Sequence, residues 1–471
     1  MARYFTGLVA ILFECLLLAW PSSALGGFDL FATERFVAPG PLAHNNEICP
    51  KDLVRQPLTL PNVVELALCN NPQTHALWAN SRIQAAQLGS SMASYLPTLS
   101  GPISISKNTS SGGLAPTESK QRNIGISASY LLYDFGGRDA NAESAKQLLV
   151  AANATRDETL QTIYLSAVQS YYAMLSAQAS VQAYQTAEIA ARESLNAAQG
   201  RYQAGTGTPA DRLQAQTALS QAMLNRIRAE GNANNAQGAL ANAMGFDASQ
   251  PFVLAPMQES NPDAAIEQSI GKLIEEARRN RPDLVAAEAQ IKAAEAQQVA
   301  TKAAGLPTFV LNGNFSRTSS EFAGVGSTSW GKSLGMTVNM PWFSGFRDTY
   351  QNRIAQTQVD GKIAARDQLA NQIALDVWKA YQALLTNSQE LRAANDLVAS
   401  AEQSEKMGLG RYKAGVGNIL DVLTAQSALA SARQQRVAAL YNFQANKFAL
   451  AQAIGQLDLT LVGTKTEASH E

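Results

Sequence analysis

The chain contains the same corner twice. The segment GRYQAGTGTPADRLQAQTALSQA, residues 200–222, returns as GRYKAGVGNILDVLTAQSALASA at residues 410–432, with 13 of the 23 aligned residues identical. Other pieces match at the same offset of 210 residues, including Leu96-Pro97-Thr98 with Leu306-Pro307-Thr308. The chain is therefore a tandem duplication, and its units are too long for a solenoid repeat.

The N-terminus predicts a secretory signal peptide over residues 1–26, because an apolar run to Trp20 is followed by small residues that suit cleavage after Ala24 or Gly26. A membrane anchor is the alternative, although the run is short for a bilayer span of about 20 residues. The predicted organisation beyond it is an N-terminal strap at 27–57, a first repeat at 58–245, a linker at 246–263, a second repeat at 264–456 and a C-terminal tail at 457–471.

Each repeat is predicted to contain a helix, two strands and a long helical hairpin. The first helices cover about 62–93 and 264–303, each ending at the Leu-Pro-Thr. The long helices, about 138–202 and 347–412, are rich in Ala, Gln, Leu and Glu, which are good helix formers. A helix of about 60 residues reaches roughly 90 Å, far longer than a globular core needs.

The repeated corner is predicted to be the tip of each hairpin. Gly205 and Gly415 supply the left-handed residue after a helix, and Asp211 and Asp421 each follow an N-cap residue by three positions. The chain then returns as a second helix to about residues 244 and 454. Because these helices are rich in alanine and poor in large apolar residues, we expect such a bundle to pack against copies of itself.

The strands decide the class of protein. In NIGISASYLLY, residues 123–133, and SLGMTVNM, residues 333–340, apolar residues alternate with small polar ones, and their partners begin near Ile103 and Phe309. The segments are about 9 to 11 residues long, and polar loops near 107–122 and 317–332 separate them. Aromatic residues gather at the strand ends, as Tyr130, Tyr133, Phe135, Trp342 and Phe343.

A small, uncharged face opposite an apolar face, with aromatic residues at the ends, favours a transmembrane β-barrel. A soluble, half-buried sheet is the alternative interpretation. Since four strands cannot close a barrel and lipid tolerates no open sheet edge, several chains must contribute strands to one barrel. The predicted fold class is mainly α with a small β part.

Composition argues against other functions. The 37 basic and 38 acidic residues nearly cancel without long runs of either sign, so no nucleic-acid partner is expected. GTGTPAD lacks the Gly-Lys-Ser/Thr of a P-loop, and three histidines give no catalytic triad, so we predict no enzyme, no catalytic residue, no metal and no cofactor. Beyond the leader, Cys49 and Cys69 favour a disulfide; a metal site with His44 and His75 is the alternative.

Taken together, these features resemble the TolC-like outer-membrane channels of Gram-negative bacteria. The resemblance spans about 58–455 and rests on the Leu-Pro-Thr before each first strand, on YDFGGR and PWFSGFR after each second strand, and on the paired Arg-Tyr-x-Ala-Gly corners. It implies a homotrimer in outer-membrane lipid, a twelve-stranded barrel continued by an α-helical periplasmic tunnel, a periplasmic adaptor, and an inner-membrane ABC or proton-driven pump.

The pair Cys49 and Cys69 within CPKDL and ALCNNPQT resembles the CyaE-like branch of that family, which serves type I protein secretion. The resemblance thus implies an exit channel for a protein cargo. A multidrug efflux component is the first alternative, and an exported coiled-coil scaffold that forms no channel is the second.

The resemblance also implies roles for the tip residues. Tyr412 occupies the place of a tyrosine in the network that closes the tip, and Asp211 and Asp421 lie where acids line the entrance. Two residues depart from the family pattern: Gly417 stands where an arginine can pair, and Thr424 where a second acid can ring the pore.

Structural interpretations of the same residues remain open at this point. Asp211 and Asp421 can serve only as helix caps. The other tip residues can be purely structural: Arg201 and Arg411 lie near the negative ends of their helices, and Tyr202 and Tyr412 can simply pack the corners.

Overall fold

The computed structural model describes residues 29–37, 57–110, 117–256, 269–322 and 325–457. These residues fall into two compact units. The strand unit takes its residues from Met1–Ala38, Arg82–Leu149 and Lys292–Thr357, and the helical unit from Pro39–Ser81, Val150–Ile291 and Gln358–Glu471.

The described part of the chain contains eight α-helices, four in each repeat. In the first repeat they are α1 (Leu60–Asn70), α2 (Pro72–Met92), α3 (Gly137–Gln203) and α4 (Pro209–Ala243). In the second repeat they are α5 (Ile270–Asn280), α6 (Pro282–Ala303), α7 (Arg347–Lys413) and α8 (Ile419–Ala453). The equal lengths of α3 and α7, and of α4 and α8, follow from the duplication.

The predicted first helix of each repeat is wrong in one respect, because it is two helices rather than one. Asn71 and Arg281 have extended backbones, with ψ of 125° and 122°, where a continuous helix would pass through them. Each precedes a proline, Pro72 or Pro282, whose ring disfavours the helical conformation at the residue before it.

Each break is the place where the return helix of the same repeat ends. Gly245, after α4, has φ of 79°, and a Cβ there would lie 2.7 Å from the carbonyl carbon of Asn70. Gly455, after α8, has φ of 73°, and its Cβ would lie 2.9 Å from the corresponding atom of Asn280. Only glycine permits both the conformation and this approach.

The sheet of the strand unit is antiparallel. Its strands are β1 (Thr98–Ser100), β2 (Ile103–Ser110), β3 (Thr117–Tyr133), β4 (Thr308–Phe322) and β5 (Val325–Asn339). β1 and β2 pair with β3 in one continuous register, so they form a single strand that Gly101 and Pro102 interrupt. Proline has no N–H to donate to the ladder. The sheet therefore contains four strand positions in the order β1/β2, β3, β4, β5.

The predicted strand lengths and loops are wrong. β3 has 17 residues, and β4 and β5 have 15 each, so most of the predicted loops at 107–122 and 317–332 are paired strand. These extensions are rich in Ser, Thr and Lys and lack apolar alternation, but backbone pairing does not require it. Cross-strand ion pairs join Lys107 to Glu118 at 3.0 Å and Lys120 to Glu321 at 3.8 Å.

Candidate channel entrance and membrane surface

Hairpin 1 (α3 and α4) turns at corner 1, residues 200–211, and hairpin 2 (α7 and α8) turns at corner 2, residues 410–421. Gly205 and Gly415 have the expected left-handed conformation, with φ of 73° and 83°. The residue after each glycine donates its N–H back to the arginine carbonyl of its corner, over 2.9 Å in corner 1 and 3.1 Å in corner 2. The two corners thus have the same backbone, closed by the same helix C-cap.

A second glycine in each corner is required by space rather than by φ. A Cβ at Gly207 would lie 3.0 Å from the backbone nitrogen of Tyr202, and one at Gly417 would lie 2.9 Å from that of Tyr412. Gly417 is the position where the family pattern allows an arginine. In this chain the corner has closed so tightly that a side chain there would displace the backbone.

Corner 1 reaches corner 2 through Arg201. Its Nη1 donates to the carbonyl oxygen of Tyr412 over 2.9 Å, and its guanidinium lies 4.7 Å from the centre of the Tyr412 ring. Tyr412 is only 3% exposed. Burial raises the pKa of its hydroxyl, Asp211 raises it further, and Arg201 opposes both. A hydrogen bond of 3.1 Å between the Ser194 hydroxyl and Gln426 Oε1 joins the same two hairpins.

The counterparts of these residues are not engaged in the same way. Tyr202 is 40% exposed, and the cation over its ring, at 5.2 Å, is Arg212 of its own hairpin. Arg411 is exposed, and its side chain has no hydrogen bond or ion pair within the described residues. The structure therefore brings together Arg201 and Tyr412, but not Arg411 and Tyr202.

The two predicted entrance acids also differ. Asp211 forms a reciprocal capping box: Thr208 N–H donates to its carboxylate over 3.1 Å, and its own N–H donates to the Thr208 hydroxyl oxygen over 3.2 Å. In corner 2 the Asn418 side chain accepts from Leu420 N–H instead. Asp421 is exposed, and its carboxylate has no hydrogen bond or ion pair in the part of the chain that the structure describes. Asp421 is thus the freer of the two carboxylates.

In the strand unit, the sheet separates two kinds of side chain. Residues in register across an antiparallel sheet share a face. One face carries the cross-strand rows Tyr130–Leu311–Met336, Ala128–Gly313–Leu334 and Ile126–Phe315–Lys332, and the other carries Ser129–Asn312–Gly335 and Ser127–Asn314–Ser333. The apolar residues are left open, since Leu334 is 77% and Met336 62% exposed.

Most of the predicted interface aromatics lie at the end of the sheet next to α3 and α7. The rings of Tyr133 and Phe135 are 4.8 Å apart, while Trp342 and Phe343 are 89% and 76% exposed. Tyr130 lies in the apolar row nearest to them and is 37% exposed.

A second aromatic group, at the opposite end of the apolar face, was missed by the sequence analysis. Phe315 and Trp330 stack at 5.4 Å, with Lys332 5.5 Å from the Phe315 ring and Arg317 5.5 Å from the Trp330 ring. The predicted loops concealed this group, since Trp330 and Lys332 were assigned to irregular chain. The signal that reveals it is the pairing of a bulky aromatic residue with a cation on each strand.

The remaining predicted residues are the cysteines. Cys69 lies in α1 and is disulfide-bonded. Cys49 lies outside the described residues. Where the structure describes the chain, it contains no group of three or more His, Cys, Asp or Glu side chains placed to hold a metal ion. Among the same residues, none of the helices combines the length and apolar character needed to cross a membrane.

Comparison with known proteins identifies the family. The profile described as "Outer membrane efflux protein" matches residues 63–246 and again 273–456. Protein CyaE of Bordetella pertussis is 31% identical over 412 residues, covering 87% of this chain and 86% of that protein. Outer membrane efflux protein BepC of Brucella suis is 25% identical over 419 residues, covering 86% and 87%.

The fold agrees with this result. The outer membrane channel CmeC of Campylobacter jejuni superimposes with a TM-score of 0.74 over 85% of this chain and 88% of that one, at 20% identity. Both the TolC-like resemblance and the mainly α fold with a small antiparallel sheet are confirmed, and the identity with CyaE agrees with the CyaE-like branch. The chain belongs to the outer membrane efflux protein family of TolC-like channels, which are transport proteins located in the outer membrane and extending into the periplasm.

Proposed function

We propose that three copies of this chain form the outer-membrane exit channel of a tripartite export system. The observation that carries the proposal is the sheet: an exposed apolar face lies opposite small polar residues, and among the described strands β2 and β5 are each paired on one side only. Lipid tolerates no unpaired sheet edge. Three copies supply twelve strands, which close into a barrel with the apolar face toward lipid and the small face toward water.

In this proposal the helical hairpins form a periplasmic tunnel. A periplasmic adaptor engages it and links it to an inner-membrane ABC or proton-driven pump. The corners lie at the periplasmic mouth, and the chain near 107–122 and 317–332 faces the cell exterior. Asp211 and Asp421 line the entrance, and Arg201, Tyr202, Gly205, Arg411, Tyr412 and Gly415 shape the closed tip.

We infer type I protein secretion as the transport route. The 31% identity with CyaE over most of both chains supports it, as does the resemblance of the segments around Cys49 and Cys69 to that branch. Multidrug efflux is the second candidate, and the match to the outer membrane efflux protein BepC over a similar length supports efflux without indicating the cargo. A strain that lacks the gene separates the two candidates. Loss of a secreted protein supports the first, and increased drug sensitivity with intact secretion supports the second.

The channel itself is tested by a matched pair of substitutions on β5. Leu334→Asp places a charge on the apolar face, where a carboxylate in lipid is expected to cost up to a few kcal/mol. Ser333→Asp places the same charge one residue away on the polar face. We expect the first variant to be lost from the outer-membrane fraction, and the second to insert and to conduct ions in planar bilayers. Equal insertion of both variants, or a wild-type protein that fractionates as soluble, would contradict the proposal.

Two further parts of the proposal have direct tests. Cys49 and Cys69 are proposed to be joined, since Cys69 is disulfide-bonded and an exported chain favours such a bond. Mass spectrometry of non-reduced peptides should find the linked pair, and free thiols at both positions would refute it.

The orientation in the membrane is tested with an epitope inserted after Gly112. The epitope should bind antibody on intact cells. Labelling that appears only after the outer membrane is broken would contradict the proposed orientation.

A further inference from the structure

Hairpin 1 and hairpin 2 meet at their tips through residues that each repeat carries. Arg201 and Ser194 of hairpin 1 contact Tyr412 and Gln426 of hairpin 2. At the offset of 210 residues, all four have an identical counterpart: Arg411, Ser404, Tyr202 and Gln216. Each hairpin therefore carries both halves of the same pair of contacts.

Within one chain only one set of these four residues forms the contact. Ser194 is 1% exposed and Tyr412 is 3% exposed. Their counterparts, Ser404 and Tyr202, are exposed, as are Arg411 and Gln216. The four counterparts lie on the two outer faces of the pair of hairpins. Tyr202 and Gln216 are on hairpin 1, and Arg411 and Ser404 are on hairpin 2.

The apolar residues follow the same division. Tyr412, Leu409 and Leu423 belong to an apolar cluster between the hairpins that also contains Ala197, Ala198 and Ala215. The counterparts of Leu423 and Ala197 are Leu213, 58% exposed, and Met407, 66% exposed. Large apolar side chains are thus left open on both outer faces, at the positions that are covered between the hairpins.

Two differences between the repeats make the two outer faces complementary in charge. Leu195 and Val422 both belong to the apolar cluster between the hairpins. Their counterparts are Glu405 on hairpin 2 and Arg212 on hairpin 1. Where the internal surface has two apolar residues, the corresponding positions have opposite charges, and the Glu405 carboxylate also accepts from Gln426 Nε2 of its own hairpin over 3.5 Å. These differences favour contact between hairpin 2 of one chain and hairpin 1 of another.

We propose that the tip contact is repeated between neighbouring copies of this chain. Arg411 donates to the backbone carbonyl oxygen of Tyr202 in the next copy, as Arg201 does to that of Tyr412 within one chain. Ser404 pairs with Gln216 of the next copy, and Glu405 faces its Arg212. Six hairpins in a ring of three chains then meet through six similar surfaces, three internal and three between chains. The inference rests on the proposed trimer and adds the residues that join its tips.

Chemical cross-linking tests the pairing. The variant Ser404→Cys with Gln216→Cys is treated with a short cross-linker that carries two thiol-reactive maleimide groups, because a serine and glutamine in contact are not placed for a direct disulfide. We expect a ladder of covalent dimers and trimers in denaturing gels, absent from each single variant. Ser194→Cys with Gln426→Cys is the matched control, and its product should run as a monomer. A ladder from the control, or none from the test pair, overturns the proposed pairing.

The assembly is measured separately, so that the two proposals fail in different ways. Native mass spectrometry of the same detergent-solubilised proteins should give three chains. Three chains without a ladder overturn the tip contact and leave the channel in place, whereas a wild-type monomer overturns both.

A charge reversal tests the contact without cysteines. Glu405→Arg should lower the temperature at which the assembled protein separates into chains, and Arg212→Glu in the same chain should restore it. Independent effects of the two changes would contradict the contact.

Discussion

Corner 1 and corner 2 share seven of twelve residues and the same backbone, but not their surroundings. Both have a left-handed glycine, a second glycine without room for a Cβ, and the same closing hydrogen bond to an arginine carbonyl. Yet Tyr412 is buried under Arg201 of the other corner, while Tyr202 is 40% exposed. Local sequence thus fixes the turn, whereas the environment of its side chains depends on what lies beside it.

The difference follows from a duplicated element in an open chain. Each hairpin carries two contact surfaces, and the two hairpins of one chain can contact each other only once. That contact uses one surface of each hairpin and leaves the other two surfaces free. The free surfaces can be covered only by another molecule, and a closed ring of identical chains covers all of them. The sheet has the same property. Within the described strands, the pairing of β3 with β4 joins the two repeats and leaves β2 and β5 as the edge strands.

Truncation of the two tyrosines should have the largest effect. Tyr412→Ala removes a buried ring and is expected to cost about 3–5 kcal/mol of local stability. If Tyr202 is covered by a neighbouring copy, Tyr202→Ala should cost nearly as much in the assembled protein. Hydrogen exchange of peptides that cover each corner measures both. A Tyr202→Ala variant within about 0.5 kcal/mol of wild type, as is usual for an exposed site, would break the equivalence.

Closure of the corners is the next test. Gly417→Ala places a Cβ 2.9 Å from the backbone nitrogen of Tyr412, so we expect a loss of about 1–3 kcal/mol. Gly207→Ala should lose a similar amount, because its contact is 3.0 Å. The control is Gly361→Ala within α7, where an added Cβ meets open space and helix propensity should improve stability by up to about 1 kcal/mol. A melting temperature of Gly417→Ala equal to that of the Gly361→Ala control would show that corner 2 has room for a Cβ at this position.

The two entrance acids should separate stability from conduction. Asp211→Asn weakens a capping box and is expected to cost about 0.5–1 kcal/mol. Asp421→Asn breaks no hydrogen bond or ion pair among the described residues, so its stability cost should be smaller. Three copies of Asp421 at a narrow mouth would attract cations, so its loss should lower cation preference in planar bilayers. Unchanged ion selectivity in a variant that carries both substitutions would exclude a role for either acid in the entrance.

The smallest effect concerns an ion pair that hairpin 2 has and hairpin 1 lacks at the same offset. Arg433 donates to Glu402 over 2.9 Å, and the counterpart of Arg433 is Met223. Arg433 lowers the pKa of Glu402, so the stabilisation is complete above the ordinary glutamate pKa of 4.5 and is lost as pH falls through the lowered value. Arg433→Met should therefore cost at most about 1 kcal/mol at pH 7.

The pH dependence gives this prediction its control. The difference in melting temperature between wild type and Arg433→Met should shrink once the pH lies below the lowered pKa of Glu402. A difference that is constant between neutral and acid pH would mean that Arg433 acts through packing rather than charge.

The hairpins could be predicted from the sequence because their signals are local. Glycines at 205 and 415, a long run of helix formers and an N-cap with a following acid each act over a few residues. The helix breaks at Asn71 and Arg281 have an equally local signal, which is the proline that follows each residue. The strand extensions were harder, because polar residues pair through the backbone without leaving a periodic pattern.

The tip contact could not be predicted from the sequence. The duplication places Arg201 and Arg411 in the same Gly-Arg-Tyr motif, and that motif does not indicate which of them meets a tyrosine in the same chain. That choice is made by the packing of two hairpins separated by about 210 residues. The same limit applies to the Phe315 and Trp330 pair, which is formed by register between strands.

The most direct measurement compares Tyr202 with Tyr412 in the assembled, unmodified protein. Hydroxyl-radical footprinting in detergent gives an oxidation rate for each ring, and the unfolded chain in denaturant supplies the intrinsic rates. We expect Tyr202 to be nearly as protected as Tyr412, although in a single chain their exposures are 40% and 3%. A Tyr202 that oxidises at the rate of an open ring while Tyr412 stays protected would contradict the ring of equivalent tips.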